Sequence, residues 1–206
     1  MSGSGQLRLS GGRRLLSPGG RTARPTTSRV REAVMNILAP HLQDCRWLDL
    51  CSGSGVMGCE ALQRGARCVV AVDQDPQCIR VSRNNLSAVA ASRSPAPEIR
   101  TERRELITWL KKGWNQEPFD IVYFDPPYNQ GLYGPCLIAL AEGNWLHRDS
   151  LVVCEHRSNL NPEPGSDWTV VDQRRYGISS VMLLSPRERC HHGGTGSMPP
   201  RTDPSA

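Results

Sequence analysis

Apolar and polar positions change their period several times along the chain. Between Thr27 and Leu38 the apolar residues Val30, Val34, Ile37 and Leu38 recur at helical spacing. Thr27 or Ser28 can cap this helix, and Pro40 marks its approximate end. Before it, "QLRLSGGRRLLSP" alternates weakly around Gly11-Gly12, which permits a small hairpin. From Cys45 onward a regular rhythm sets in. "CRWLDLC", "RCVVAVD", "FDIVYFD" and "SLVVCEH" read as short buried strands, and "EIRTE" as an outer one. Between them "VMGCEALQRG", "PQCIRVSRNNLSAVA", "RELITWLKKG" and "GPCLIALAEG" read as helices. Gly65 and Gly143 suit helix ends, and Pro76 suits a first turn.

Strand and helix alternate over about 110 residues, which predicts a parallel sheet covered by helices on both faces. The rhythm breaks near the end. The runs Thr169–Arg175 and Ile178–Leu184 are too close for a crossover helix, so an antiparallel hairpin is expected. The organisation expected is a hairpin-and-helix extension over 1–40, an α/β domain over 41–185, and a disordered Gly/Pro-rich tail over 186–206.

Ligands of open α/β sheets bind at the carboxyl ends of the strands, so the strand ends carry the functional information. The first ends in Asp49, followed by Ser52-Gly53-Ser54-Gly55. The second ends in Asp73, with Gln74 after it. Glu105 and Leu106 follow the third. The fourth runs into Asp125-Pro126-Pro127-Tyr128. "GSGVMG" is a G-x-G-x-x-G, and Asp73 follows at about the 20-residue distance of a ribose carboxylate. A nicotinamide dinucleotide and S-adenosylmethionine both satisfy that pattern. Asp49 at the mouth of the loop would repel a pyrophosphate and attract an ammonium or sulfonium. Asp125 and the Pro126 carbonyl can together accept both N–H bonds of one exocyclic amine. The prolines hold that carbonyl fixed, and Tyr128 can stack on a base.

Composition changes the picture in three places. Of 25 Lys and Arg, only Lys111 and Lys112 are lysine, and seven arginines precede the first acid, Glu32. Such a cationic arm suits a polyanion. The eight cysteines contain no C-x-x-C pair and several lie in apolar runs, so reduced, buried thiols are expected. His191-His192 in the tail lacks carboxylates arranged for a metal, and no metal is expected. No apolar run approaches the roughly 18 residues of a membrane span. The N-terminus lacks the apolar centre of a secretory signal. A cytoplasmic protein without membrane contact is the expectation.

Taken together, "LDLCSGSG", "AVDQD" and "FDPPY" resemble class I S-adenosylmethionine-dependent methyltransferases that methylate amines. "GGRRLLSPGGRTARPTTSRVREAVMNIL" brings the resemblance to the RsmD family, which methylates a guanine 2-amino group in bacterial small-subunit ribosomal RNA. It runs from about Leu7 to Leu184, and "RPTTSRVRE" is its family-specific part. The resemblance implies a Rossmann-like sheet, mostly parallel. It places Asp49, Ser52, Gly53 and Gly55 at the methionine end of the cofactor, Asp73 and Gln74 at the ribose, and Glu105 and Leu106 at the adenine. Asp125, Pro126, Pro127 and Tyr128 would hold the target amine. Arg13, Arg14, Arg24, Thr26, Arg29 and Arg31 would face RNA. Glu105 departs from the aspartate or asparagine more usual there, and Glu155 ends the next strand with no role assigned. Ribosomal RNA or an assembling small subunit is the implied partner, with the protein a monomer. The rival readings are an adenine-amino DNA methyltransferase or another RNA amino methyltransferase, a non-catalytic RNA-binding module of the same fold, and a nicotinamide oxidoreductase. The first usually carries a sizeable target-recognition segment, for which this chain has no room.

Overall fold

A computed structural model of the chain describes residues 7–19, 27–127 and 130–187. Tyr128, Arg24, Thr26, His191-His192 and the tail from 188 onward therefore lie outside the described residues. The elements are α1 (Ser28–Ile37), β1 (Arg46–Leu50), α2 (Val56–Gln63), β2 (Cys68–Asp73), α3 (Pro76–Ala90), β3 (Glu98–Arg103), α4 (Leu106–Leu110), β4 (Phe119–Phe124), α5 (Tyr133–Glu142), β5 (Leu146–Arg157), β6 (Trp168–Tyr176) and β7 (Ser179–Pro186). The described strands form one seven-stranded sheet in the order β3-β2-β1-β4-β5-β7-β6. β1 to β5 pair in parallel; β7 runs antiparallel to both β5 and β6. The Rossmann-like sheet with its C-terminal hairpin is thus present.

The burial pattern follows from position in the sheet. β1 is buried at every residue because helices cover both of its faces, whereas the outer β3 is half-buried at its centre and exposed at Glu98 and Arg103. One face packs α1, α2 and α3 against Trp47, Val69, Ile121, Tyr123 and Val153. The other packs α4 and α5 against Leu48, Val70, Val122 and Phe124. Trp109, Trp114 and Trp145 cluster on that second face with ring centroids 4.5–6.3 Å apart. Seven cysteines among the described residues are free thiols, six of them buried. Burial pushes the Cys45, Cys78 and Cys154 thiols up to about 12, so they stay protonated and unreactive. Among the described residues no helix is long and apolar enough to cross a membrane.

Three local expectations shift. α4 has only five residues, because Glu105 caps it rather than lying inside it. β5 begins at Leu146, four residues before the expected run. The N-terminal hairpin reduces to one bridge, Arg8 to Arg14, closed around Gly12. Thr27 is the cap of α1, accepting from the Val30 N–H at 3.3 Å.

The extension is built into the core. Leu9, Leu15, Val30, Val34 and Met35 join the same apolar cluster as α2. That is why α2 is buried from Val56 to Leu62 with no polar face left for water. Its fully buried acid, Glu60, is the joint. It accepts from the Ser10 N–H at 2.8 Å, the Ser10 hydroxyl at 2.9 Å, Arg31 Nε at 3.1 Å, and Arg64. Removing one partner of a buried ion pair costs about 3–5 kcal/mol, since the other charge is left uncompensated. Glu60→Ala is expected to lower unfolding free energy by about that amount. Urea denaturation measures it, and a loss below about 1 kcal/mol would remove the joint from the account.

Candidate active site

The strand order reverses between β1 and β4, so Asp49 and Asp125 stand on either side of the switch point. One cleft of about 520 Å³ opens there. Asp49, Ser52, Gly53, Asp73, Gln74, Glu105, Leu106, Asp125, Pro126 and Pro127 all line it. Residues separated by up to 78 positions in sequence thus share one wall, although only adjacent strands touch. A second hollow of about 580 Å³ lies between the far ends of α4 and α5, beside Lys111, Lys112 and Glu142. It sits at the edge where the strands begin, away from every strand-tip acid.

The glycine loop is shaped by close approach. Gly55 has φ +72°, and a Cβ there would lie 2.9 Å from Ser82 Cβ. A Cβ on Gly58 would lie 2.8 Å from Val69 Cγ1. The missing side chain lets the Gly58 N–H reach Asp49 Oδ2 at 3.1 Å. Cys51 at the tip of β1 is held at φ +60°, a region uncommon for a residue with a side chain. Asp73 accepts from the Gly53 N–H and the Asp75 N–H, each at 2.9 Å, which pins both loops.

Electrostatics divide the acids. Burial pushes the Asp49 carboxyl up to about 8, against the Gly58 N–H that favours its charged form; neighbouring Asp73 adds repulsion. Burial also raises Asp73, partly offset by the Asp75 and Gly53 N–H bonds. Glu105 is exposed and sits below its usual value because Thr108 and Ile107 donate to it as a helix cap. Ser52 Oγ is buried without a hydrogen-bond partner.

At the other end of the cleft Pro126 is buried and Pro127 exposed. Pro126 precedes another proline, so its backbone is confined to the extended region and its carbonyl direction is restricted. The Pro127 carbonyl accepts from the Gln130 N–H at 3.3 Å, and both residues line the cleft.

The arginines separate into two groups. Arg13, Arg14 and Arg29 are exposed. Arg31 corrects the sequence expectation: it is buried, paired to Glu60, and bonded to the Arg8 carbonyl at 2.6 Å. Its charge is spent inside the protein, where a phosphate does not reach it.

Asn85 is a residue that pattern reading passed over. Buried on α3, it donates to the Ser54 carbonyl at 2.9 Å and the Leu16 carbonyl at 3.0 Å. It also accepts from the Leu16 N–H at 2.9 Å. One side chain therefore ties the glycine loop to the N-terminal extension. The only signal in the sequence was an asparagine on the apolar stripe of a helix.

Comparison with known proteins agrees with this architecture. A family model described as "Conserved hypothetical protein 95" matches residues 4–185. The "Ribosomal RNA small subunit methyltransferase D" of Escherichia coli K12 is 34% identical over 188 residues, covering 88% of this chain and 91% of that protein. The "Putative rRNA methyltransferase YlbH" of Bacillus subtilis is 30% identical over 177 residues, covering 85% and 95%. The solved structure of the putative methyltransferase yhhF from Escherichia coli superposes with a TM-score of 0.76 at 30% identity, covering 90% of this chain and all of that one. With that match spanning nearly the whole described fold, the chain belongs to the conserved hypothetical protein 95 family, the RsmD family of ribosomal RNA methyltransferases.

Proposed function

We propose that the protein transfers a methyl group from S-adenosylmethionine to the exocyclic 2-amino group of a guanine in small-subunit ribosomal RNA. One observation carries this: a single cleft joins the acids of β1 and β2 to the Asp125-Pro126-Pro127 tip across the switch point. The cofactor fits the residues present. A buried carboxyl, an unpartnered buried hydroxyl on Ser52 and a side-chain-free loop at Gly53 suit a ligand bearing an ammonium and hydroxyls. When bound, S-adenosylmethionine supplies an electrophilic methyl on a sulfonium. Asp49 would face the ammonium end, Asp73 and Gln74 the ribose, and Leu106 the adenine. Glu105 already serves as a helix cap, so its share in holding the adenine amine is limited to its remaining lone pairs.

A guanine 2-amino group is a poor nucleophile because its lone pair is conjugated with the ring. Asp125 and the Pro126 carbonyl would accept its two N–H bonds and favour the pyramidal nitrogen, whose lone pair then points at the methyl. The nitrogen lone pair forms the N–C bond as the C–S bond breaks, leaving a thioether. The methylated nitrogen is briefly cationic and strongly acidic. It gives one proton to Asp125 or water, so an ordinary carboxylate is a sufficient base. The target base must leave its stack to reach the cleft. Arg13, Arg14 and Arg29 are exposed on the extension and suit phosphate contacts, which fits an RNA partner.

Nucleoside analysis of small-subunit ribosomal RNA from cells with and without the protein tests the reading. Loss of one N2-methylguanosine, restored by the purified protein, is expected. An unchanged profile, or loss of a methyladenosine, would overturn the guanine assignment.

A further inference from the structure

Glu155 lies in β5, two residues before its end and beside the tip of β4, and nothing in the methyl-transfer scheme uses it. It is a buried acid, 3% exposed, that nonetheless lines the same cleft as Asp125, Pro126 and Pro127. Phe124 and Cys154 are register partners on β4 and β5. One residue further on, Asp125 follows the end of β4 while Glu155 continues β5 against Val181 of β7, and the alternation of the two neighbouring parallel chains, roughly 5 Å apart in the sheet direction, turns both side chains to the same face.

The carboxylate is held in place from two directions. Tyr123 donates its hydroxyl to Glu155 Oε2 at 2.6 Å, and Tyr133 donates to the Glu155 carbonyl at 2.6 Å. Both rings are themselves fixed. Tyr123 stacks on Trp47 with centroids 6.1 Å apart, and Tyr133 meets Phe124 edge-to-face at 5.5 Å. The Tyr123 bond falls on Oε2, and the same side chain lines the cleft beside Asp125.

We propose that Glu155 is a specificity-determining residue that accepts the N1–H of the target guanine while Asp125 and Pro126 hold its 2-amino group. This rests on the guanine reading above. Guanine alone among the amino-bearing RNA bases has a ring N–H next to its amine. Adenine and cytosine present a ring acceptor there, which would face a carboxylate lone pair to lone pair. Asp125 at the tip of β4 and Glu155 on the adjacent β5 therefore match one base edge and repel the others. Discrimination built on such pairing reaches far beyond what shape alone provides, because the wrong base leaves buried polar groups unpaired.

The test uses 2,6-diaminopurine, which keeps the 2-amino group but has an acceptor at N1. Full-length small-subunit RNA is assembled by splinted ligation with guanosine or 2,6-diaminopurine riboside at the mapped target, then folded with ribosomal proteins. The wild-type protein is expected to prefer guanosine by about 10²-fold or more in kcat/KM. Glu155→Gln keeps the size and the bond from Tyr123 while its amide can donate to N1. It should lose activity on guanosine, gain it on 2,6-diaminopurine, and bring the ratio within about tenfold. A merely structural role would lower both rates by one factor. That result, or equal wild-type rates on the two RNAs, would overturn the proposal. The wild-type comparison stands even if the variant folds poorly, which melting and S-adenosylhomocysteine binding report. If wild-type protein leaves the guanosine RNA unmethylated, the guanine reading itself fails and takes this inference with it.

Discussion

Replacing Asp125 with alanine is expected to lower methyl transfer by about 10³-fold or more while S-adenosylhomocysteine affinity stays within about twofold. The side chain follows β4, whereas the Gly53–Asp73 bond ties the β1 loop to the end of β2, so the cofactor half should keep its shape. What disappears is the acceptor that turns the amine and the nearest base for its proton. The Pro126 carbonyl alone can hold one N–H and leaves the nitrogen free to rotate back into conjugation. Asp125→Asn retains an acceptor oxygen and should fall between the two. Single-turnover rates with radiolabelled cofactor, set beside calorimetric titration, separate the effects. Normal methylation by the alanine variant would refute the amine-holding role.

Asp49→Asn should do the opposite to stability and binding. Asp49 rises from 3.8 in the unfolded chain to about 8 in the fold, mainly through burial. For an acid raised on folding, the native state holds the proton more tightly than the unfolded state does. Stability is therefore lost progressively as pH climbs from about 3.8, and the loss is complete above about 8. Asparagine keeps an acceptor for the Gly58 N–H and carries no charge, so the variant should lose the Asp49 part of the pH dependence and keep only that of the remaining acids, Asp73 among them. A net gain of about 2 kcal/mol would raise Tm by about 4–8 °C at pH 8 for a chain of this length, with no difference near pH 3. Cofactor affinity should fall about 10- to 100-fold, the worth of a charge-assisted bond to the ammonium. A cationic ligand also draws the proton off Asp49. Wild-type binding at pH 7 should then release a proton, seen as heat that varies with the buffer, and the asparagine variant should not. Unaltered affinity together with an unaltered pH profile of Tm would show that Asp49 faces neither burial strain nor cofactor.

The two variants expose a division of labour. The cofactor end holds a carboxylate at the expense of stability, because burying an acid costs free energy that only a cationic ligand returns. The proposed amine end presents a half-buried acid, Asp125, and a backbone carbonyl restricted by two prolines. The extension reaches both through its own buried anchors. Asn85 connects it to the glycine loop and Glu60 to α2.

Much of this was legible in the chain itself. Strand and helix spacing is local, so hydrophobic period alone yields the α/β alternation, and a short gap without room for a helix implies the final hairpin. The order of acids at strand ends, the glycine loop and the diproline tip are local too, and together they suffice for the resemblance to amine methyltransferases. Arg31 was misread for a physical reason. In sequence it is one more charge in a basic arm; only the docking of α1 on α2 brings it to Glu60, 29 positions away, and buries both. Asn85, Glu60 and Glu155 look like ordinary polar residues until their partners arrive from other elements. Period and composition report which faces turn inward. Which polar group each buried side chain meets depends on strand order and helix docking, and these are set by contacts between residues far apart in the chain. The sequence by itself thus determined which acid stands at each strand end. Tertiary structure decided that β1 lies beside β4 and β4 beside β5, so that Asp49, Asp125 and Glu155 open onto one cleft.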